Sequence, residues 1–422
     1  MKFQELTEEE FKSFSENHEY ESFFQTVETA KLRESYGAKI YYLGVKENDK
    51  VIAASMFTIT PCMFGKYRFY APQGLLVDYH NYDLLKFFID NLKEYAKKLN
   101  AMFIKIDPNV IYRVRDVNGN LYPDDKPDNL TIENLKKLGF HHFGFTTDYR
   151  FTQSRWNYRL RLDKPYEELK KHFSKSTRKN IDNMYQKGVG IRRGSKDDLE
   201  IMTELLKSTA ERKKFMYRSL DYYERMYQYF GDLMHIYIAH VDFKKYLENS
   251  IEQLEKEKEN NKKINEKMKV DMVGDKLKNQ LKTSNHLIEK LTNQVVEAKD
   301  YLKKYPEGKD IGGLLSIKSG REYITLTSGI LPDFKNFMPK YIMYNEHILD
   351  AYKFGFEYVN FYGISGNFDK NDPIYGVYEF KKGFNGEVVE LIGEFTLPTS
   401  KLYYIYNMFR HLKITYRKII KR

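Results

Sequence analysis

A single cysteine, Cys62, in 422 residues excludes an internal disulfide and a metal site built from cysteines. No apolar run reaches the ~20 residues that a membrane-spanning helix needs. The opening Met1-Lys2-Phe3 turns acidic at Glu8-Glu9-Glu10, unlike a secretory signal, so a cytoplasmic protein is expected. There is no Walker Gly-Lys-Thr loop, no Rossmann glycine triplet behind a strand and no Gly-x-Ser-x-Gly elbow. His141 and His142 adjoin, so on a strand they face opposite sides and do not readily chelate one metal. No self-contained nucleophile, metal or nucleotide-hydrolysis site remains.

What is present is basic and aromatic. The chain carries 70 Lys+Arg against 59 Asp+Glu, a net charge of +11, which suits a nucleic acid, a phosphorylated molecule or an anionic membrane face. Hydrophobic residues make up 41% and aromatic residues 16%, enough to exclude wholesale disorder. The length suits roughly two domains.

Strands and helices alternate along the chain. Ile40–Val45 and Val51–Phe57 flank the polar turn Glu47-Asn48-Asp49-Lys50 and read as a hairpin. Apolar positions 84, 85, 88, 92, 95, 96 and 99 have the period of an amphipathic helix, and Met102–Ile106 reads as the next strand, ended by Asp107-Pro108. The second half repeats this grammar, with helices at 199–206, 222–230 and 338–353 and strands at 234–239, 313–317, 322–326 and 358–362. The expected fold class is α/β, two similar units in tandem.

Residues 242–305 differ in composition, being rich in Lys, Glu and Asn. Leu277, Leu281, Ser284, Ile288, Leu291, Val295, Ala298 and Leu302 form a heptad. Leu247, Ile251, Leu254, Lys258, Asn261, Asn265, Met268 and Met272 make a weaker one, and Gly274-Asp275 marks the turn of an antiparallel hairpin. Such a hairpin serves as a dimerisation spacer or as a basic probe for an anionic partner, and pattern alone leaves both open.

Basic clusters occur at Ser174–Lys179 and at Glu211–Arg218, the latter just ahead of Tyr222-Tyr223. The first suits a solvated helix start at least as well as a phosphate site, and the tyrosines alone suit core packing. An arginine followed by a tyrosine can also clamp a pyrophosphate and stack a base. The distinctive stretch runs from Asn360-Phe361-Tyr362-Gly363 through Phe380-Lys381-Lys382-Gly383-Phe384-Asn385 to Gly393-Glu394-Phe395. A partly desolvated lysine among aromatics can steady a developing oxyanion without being a nucleophile.

These motifs, with Ile106-Asp107-Pro108 and the Gln25–Arg33 helix, resemble the FemA/FemB/FemX family of peptidoglycan interpeptide-bridge aminoacyltransferases, FemA and FemB most of all. The resemblance runs from Met1 to Pro398. It implies two GNAT-like subdomains with mixed sheets and a coiled-coil arm. The implied division is 1–150 for the first subdomain, 151–241 and 306–395 for the second, 242–305 for the arm and 396–422 for a basic C-terminal helix. The implied reaction moves glycine or serine from aminoacyl-tRNA to a lipid-linked precursor, with no metal or acetyl-CoA. By motif matching, Arg33, Arg218 and Tyr222 bind the precursor, and Phe380 and Lys381 stabilise the oxyanion. The arm, around Lys262, Lys263, Lys267 and Lys269, is the expected tRNA contact. Gln73-Gly74-Leu75, Leu326 and Thr327-Ser328-Gly329 depart from the family pattern near the acceptor groove.

An activated donor ester asks only that the amine be oriented and the tetrahedral oxyanion stabilised. Proton removal falls to substrate phosphate or to Asp107, which the sequence leaves open. The competing readings are a non-catalytic tRNA- or RNA-binding adaptor, which leaves Lys381 simply solvated, and a CoA-dependent N-acyltransferase, whose Gln/Arg-x-x-Gly-x-Gly loop is missing. The C-terminal residues Lys401, Arg410, Lys413, Arg417, Lys418, Lys421 and Arg422 occur with no acid, interleaved with apolar residues at helical spacing. That helix covers the first domain or touches the anionic inner leaflet. Monomer and homodimer both stay open.

Overall fold

The computed structural model describes residues 1–147, 153–213, 217–270 and 274–409. Among these, seven strands form one mixed sheet and eight another. The first runs in the order Lys2–Glu5, Lys39–Glu47, Lys50–Pro61, Tyr67–Gln73, Ala101–Pro108, Phe395–Pro398 and His141–His142. The second runs Ile111–Arg115, Glu387–Leu391, Trp156–Arg161, Tyr358–Gly363, Glu322–Ile330, Lys309–Ser319, Met234–Val241 and Val189–Gly194. Each sheet contains a parallel pair: Tyr67–Gln73 with Ala101–Pro108, and Glu322–Ile330 with Tyr358–Gly363. Each pair is joined by one long helix, Tyr82–Lys98 or Pro339–Lys353.

Local chemistry accounts for these elements. Asn48 and Asp49 both take positive φ, 47° and 64°, the requirement of a tight two-residue hairpin turn. Asn81 caps helix Tyr82–Lys98 by accepting from the Leu84 amide at 3.1 Å, and Leu85, Phe88, Ile89, Leu92 and Ala96 bury its inner face. Asp107-Pro108 closes its strand from within: both belong to Ala101–Pro108, because the parallel neighbour Tyr67–Gln73 pairs Pro72 with Asp107 and Gln73 with Pro108.

The chain crosses residue 150 in both directions. Ile111–Arg115 lies in the second sheet, and Phe395–Pro398 is enclosed in the first.

Helices Phe243–Val270 and Asp275–Lys304 pack antiparallel, with Phe243 stacked on Tyr301 (4.9 Å), Tyr246 bonded to Glu297 (3.1 Å) and Asn261 bonded to Ser284 (3.0 Å). The second arm turns Ser284, Leu291 and Ala298 inward, as its heptad requires. The first arm follows the expected register in part. Leu254 is buried and Asn261 reaches Ser284, as the stripe requires, whereas Ile251 and Lys258 are exposed and Ser250 and Glu257 take their places one residue earlier. Its inner stripe is partly polar, so apolar spacing misplaces alternate positions.

Residues 402–409 are helical. Tyr403 packs edge-on against Phe103 (5.4 Å), with Leu402 and Tyr406 beside it, whereas Ile405, Met408 and Phe409 are exposed. Arg410, Lys413, Arg417, Lys418, Lys421 and Arg422 lie outside the described residues, as do Lys214, Phe215 and Met216 of the second basic cluster. No described helix is long and apolar enough to cross a membrane.

Candidate active site between the two sheets

Thr26 caps helix Val27–Glu34, whose last turn carries Arg33 toward the first sheet. The guanidinium donates to Thr58 Oγ1 at 2.6 Å. Burial disfavours its charged form, while Tyr70, Tyr222 and Asp107 act to favour it and Arg218 opposes it. Five residues, Arg33, Tyr70, Asp107, Arg218 and Tyr222, therefore share one electrostatic centre. Ser219 caps helix Leu220–Phe230, so Tyr222 sits in its first turn, stacked near Tyr36 at 6.2 Å with Arg218 over its ring at 5.0 Å.

Asp107 stands at the end of Ala101–Pro108 and is 7% exposed. Tyr70 donates to its Oδ2 and the Gln73 amide to its Oδ1, both at 2.7 Å. Burial pushes its carboxyl up to about 6, against the pull of Lys105 and these hydrogen bonds. Lys105 is held by Glu394 at 2.6 Å, which gives the Gly393-Glu394-Phe395 motif a physical role.

Tyr362 joins this centre to Lys381. Burial, with Asp107 and Tyr222 nearby, disfavours ionisation of its hydroxyl, which reaches Gln153 Oε1 at 3.4 Å. Its carbonyl accepts from Lys381 Nζ at 3.0 Å, and the Gly363 carbonyl accepts from the same nitrogen at 2.7 Å. The backbone permits this because both neighbouring ladders lapse here. Pairing with Glu322–Ile330 ends at Asn360, and pairing with Trp156–Arg161 is irregular between Asn360 and Gly363.

Lys381 lies on helix Tyr375–Lys382 and is 5% exposed. Burial, with a smaller push from Lys340, brings its ammonium down to about 7. An ammonium has three N–H donors, so the charged form keeps one beyond these two carbonyls. Phe380 packs edge-on to Tyr344 (4.9 Å) and Tyr341 (5.1 Å). A Cβ on Gly383 would stand 2.2 Å from Thr177 Oγ1, so the motif's glycine lets its helix end close against the next one. Ser174, from the first basic cluster, caps that neighbour, Lys175–Gln186.

The structure thus brings Arg33, Arg218, Tyr222 and Asp107 together, with Lys381 behind Tyr362 and Phe380 in an aromatic wall. It does not bring the hairpin lysines there. Lys262, Lys263, Lys267 and Lys269 are exposed on the arm, and Lys263 pairs with Glu259 at 2.7 Å. Tyr70, Thr58, Gln153 and Tyr362 were not assigned from sequence. Only Tyr362 carried a signal, its place beside a glycine in Asn360-Phe361-Tyr362-Gly363.

Comparison with known proteins fits this geometry. Aminoacyltransferase FemB of Staphylococcus epidermidis is 31% identical over 423 aligned positions, covering 99% of this chain and 100% of the relative. Aminoacyltransferase FemA of the same species is 28% identical over 416 positions, covering 98% and 99%. The crystal structure of FemX shares the fold, with a TM-score of 0.76 at 24% identity over 96% of this chain and 99% of that one. Residues 6–411 match the FemAB family along nearly the whole length, and the chain belongs to that family.

Proposed function

We propose that the protein transfers an amino acid, glycine or serine, from aminoacyl-tRNA to an amine on the peptide of a lipid-linked peptidoglycan precursor. One observation carries the reading: two arginines and a tyrosine from distant segments converge beside Asp107, and Tyr362 links them to a buried lysine. Arg33 and Arg218 hold the diphosphate of the acceptor, since a guanidinium pairs with phosphate oxygens, and Tyr222 sits against Arg218 beside them. The remaining N–H of Lys381 steadies the oxyanion that forms when the amine attacks the ester carbonyl. Phe380 walls that carbonyl from water. Asp107, ionised above about 6, accepts a proton from the attacking amine.

The C–N bond of the new amide forms as the ester C–O bond to tRNA breaks, and the tRNA hydroxyl leaves with a proton. A binding adaptor needs Lys381 only as surface charge, whereas its ammonium is buried on two carbonyls. We assign the arm, around Lys262, Lys267 and Lys269, to the tRNA. The basic C-terminal segment would bring the enzyme to the anionic inner leaflet that displays the precursor. The test incubates labelled glycyl- and seryl-tRNA with lipid-linked precursors carrying zero, one or three glycines. Transfer to one of these acceptors is expected. No transfer to any of them removes the reading.

A further inference from the structure

A cleft of about 420 Å³ lies between the second sheet and the 16–23 loop. That is the size of small-ligand clefts, roughly 300–1,000 Å³. Gln73 and Tyr362 line it, whereas Arg33, Asp107 and Tyr222 do not, so it adjoins the candidate site without containing its cations. Its charge opposes that of the chain. Glu16, Glu19, Glu21, Asp128 and Glu322 face Arg159 and Arg321, in a protein of net charge +11. Arg159 is already committed to Glu387 at 2.7 Å and to Glu322 at 3.7 Å.

A second observation is independent of the acids. Asn157 lines the same cleft and is 5% exposed, and its Oδ1 has no hydrogen-bond partner among the described residues. Buried acceptors are normally paired, so an open one facing a cleft calls for an N–H donor from a ligand. Asn157 stands opposite Gly363, whose carbonyl holds Lys381. Glu21 is also poised for a cation. Burial pushes its carboxyl up to about 7, the Gly320 amide and Arg321 pull it down, and Glu16 and Glu322 add to the rise.

We propose that this cleft binds the amine-terminated peptide of the acceptor, its acidic wall drawing in the ammonium and Asn157 Oδ1 accepting one of its N–H groups beside Tyr362. The identity of the ligand as an acceptor rests on the aminoacyl-transfer reading. The binding chemistry does not.

The experiment uses the full chain and calorimetry with triglycine amide and with its N-acetylated form, which lacks the charge and the amine. Triglycine amide is expected to bind, and acetylation to weaken it by at least about tenfold, the scale of one charged hydrogen bond. Asn157→Ala and the isosteric Glu322→Gln are each expected to weaken it comparably, while Lys86→Ala, on the exposed face of helix Tyr82–Lys98, leaves it unchanged. Equal binding of the two peptides, no binding of either, or wild-type affinity in both cleft variants overturns the proposal. Transfer assays on the wild-type protein judge the reaction separately. An enzyme that transfers to precursor while its cleft variants keep the wild-type KM for acceptor also overturns it.

Discussion

Tyr362 holds φ at +63°, a left-handed conformation that costs a side-chain-bearing residue about 1–3 kcal/mol. Asn360 Oδ1 accepts its amide at 2.8 Å and Lys381 takes its carbonyl, so the strained unit is held from both ends. If Lys381 is the oxyanion donor, Lys381→Ala should slow single-turnover transfer by ~10²-fold or more while precursor binding survives. Transfer near the wild-type rate would make the lysine structural. Arg33→Ala should instead raise the precursor dissociation constant about 10- to 150-fold, the worth of a charged hydrogen bond, and calorimetry with soluble precursor checks it. For Asp107 the sign is fixed by its role. Only the ionised carboxylate accepts a proton, so kcat/KM should fall as pH is lowered through about 6. Asp107→Asn should abolish that fall, and a profile that keeps it would move the base elsewhere. Arg33, Arg218, Tyr222 and Asp107 were named through the family resemblance, and the fold sets them near one another. Tyr70 and Gln153 were not, since Tyr70 reaches Asp107 only through the pairing of Tyr67–Gln73 with Ala101–Pro108 and Gln153 meets Tyr362 from far away in sequence, and no local spacing records either.

Among the elements, the arm shows how far periodicity reaches. The heptad of its second helix was legible because Leu291 and Ala298 are apolar and inward. The first helix was legible at Leu254 and Asn261 but missed by one residue at Ile251 and Lys258, because its stripe is closed by hydrogen bonds. Glu257 and Asn261 both reach Ser284, which is 3% exposed. A buried polar layer of this kind fixes register at some expense in stability. Ser284→Ala should therefore remove both hydrogen bonds, each worth about 0.5–1.5 kcal/mol, and weaken the arm, readable as earlier loss of helical signal on heating. Replacing 242–305 by a short glycine linker should preserve precursor binding and cut transfer from charged tRNA. Full activity after deletion would return the arm to the role of spacer or dimer contact.

Across the whole molecule, the repeated order of strand, long helix and strand was legible because periodicity switches at each boundary, whereas the parallel pairing of those strands was not. The exchange of strands between sheets was not, since Ile111–Arg115 and Phe395–Pro398 look like any short strand until their partners are known. At the C-terminus, Tyr403 is 2% exposed against the first sheet while Ile405, Met408 and Phe409 face outward. A chain cut after residue 409 keeps that docking and loses six cations. It should pellet less than the full chain with vesicles containing anionic lipid at low salt, and the difference should vanish at high salt. Equal pelleting would leave the tail with a structural role alone.

Phe395–Pro398 fills the slot between Ala101–Pro108 and His141–His142. During synthesis, the sheet begun by the first strands waits with Ala101–Pro108 unpaired on one side until residues 395–398 have left the ribosome. Pairings between residues so distant in sequence form slowly, and an open edge meanwhile invites wrong partners. The molecule is therefore one folding unit, and the exposed edge of a half-made chain is where chaperones would find it.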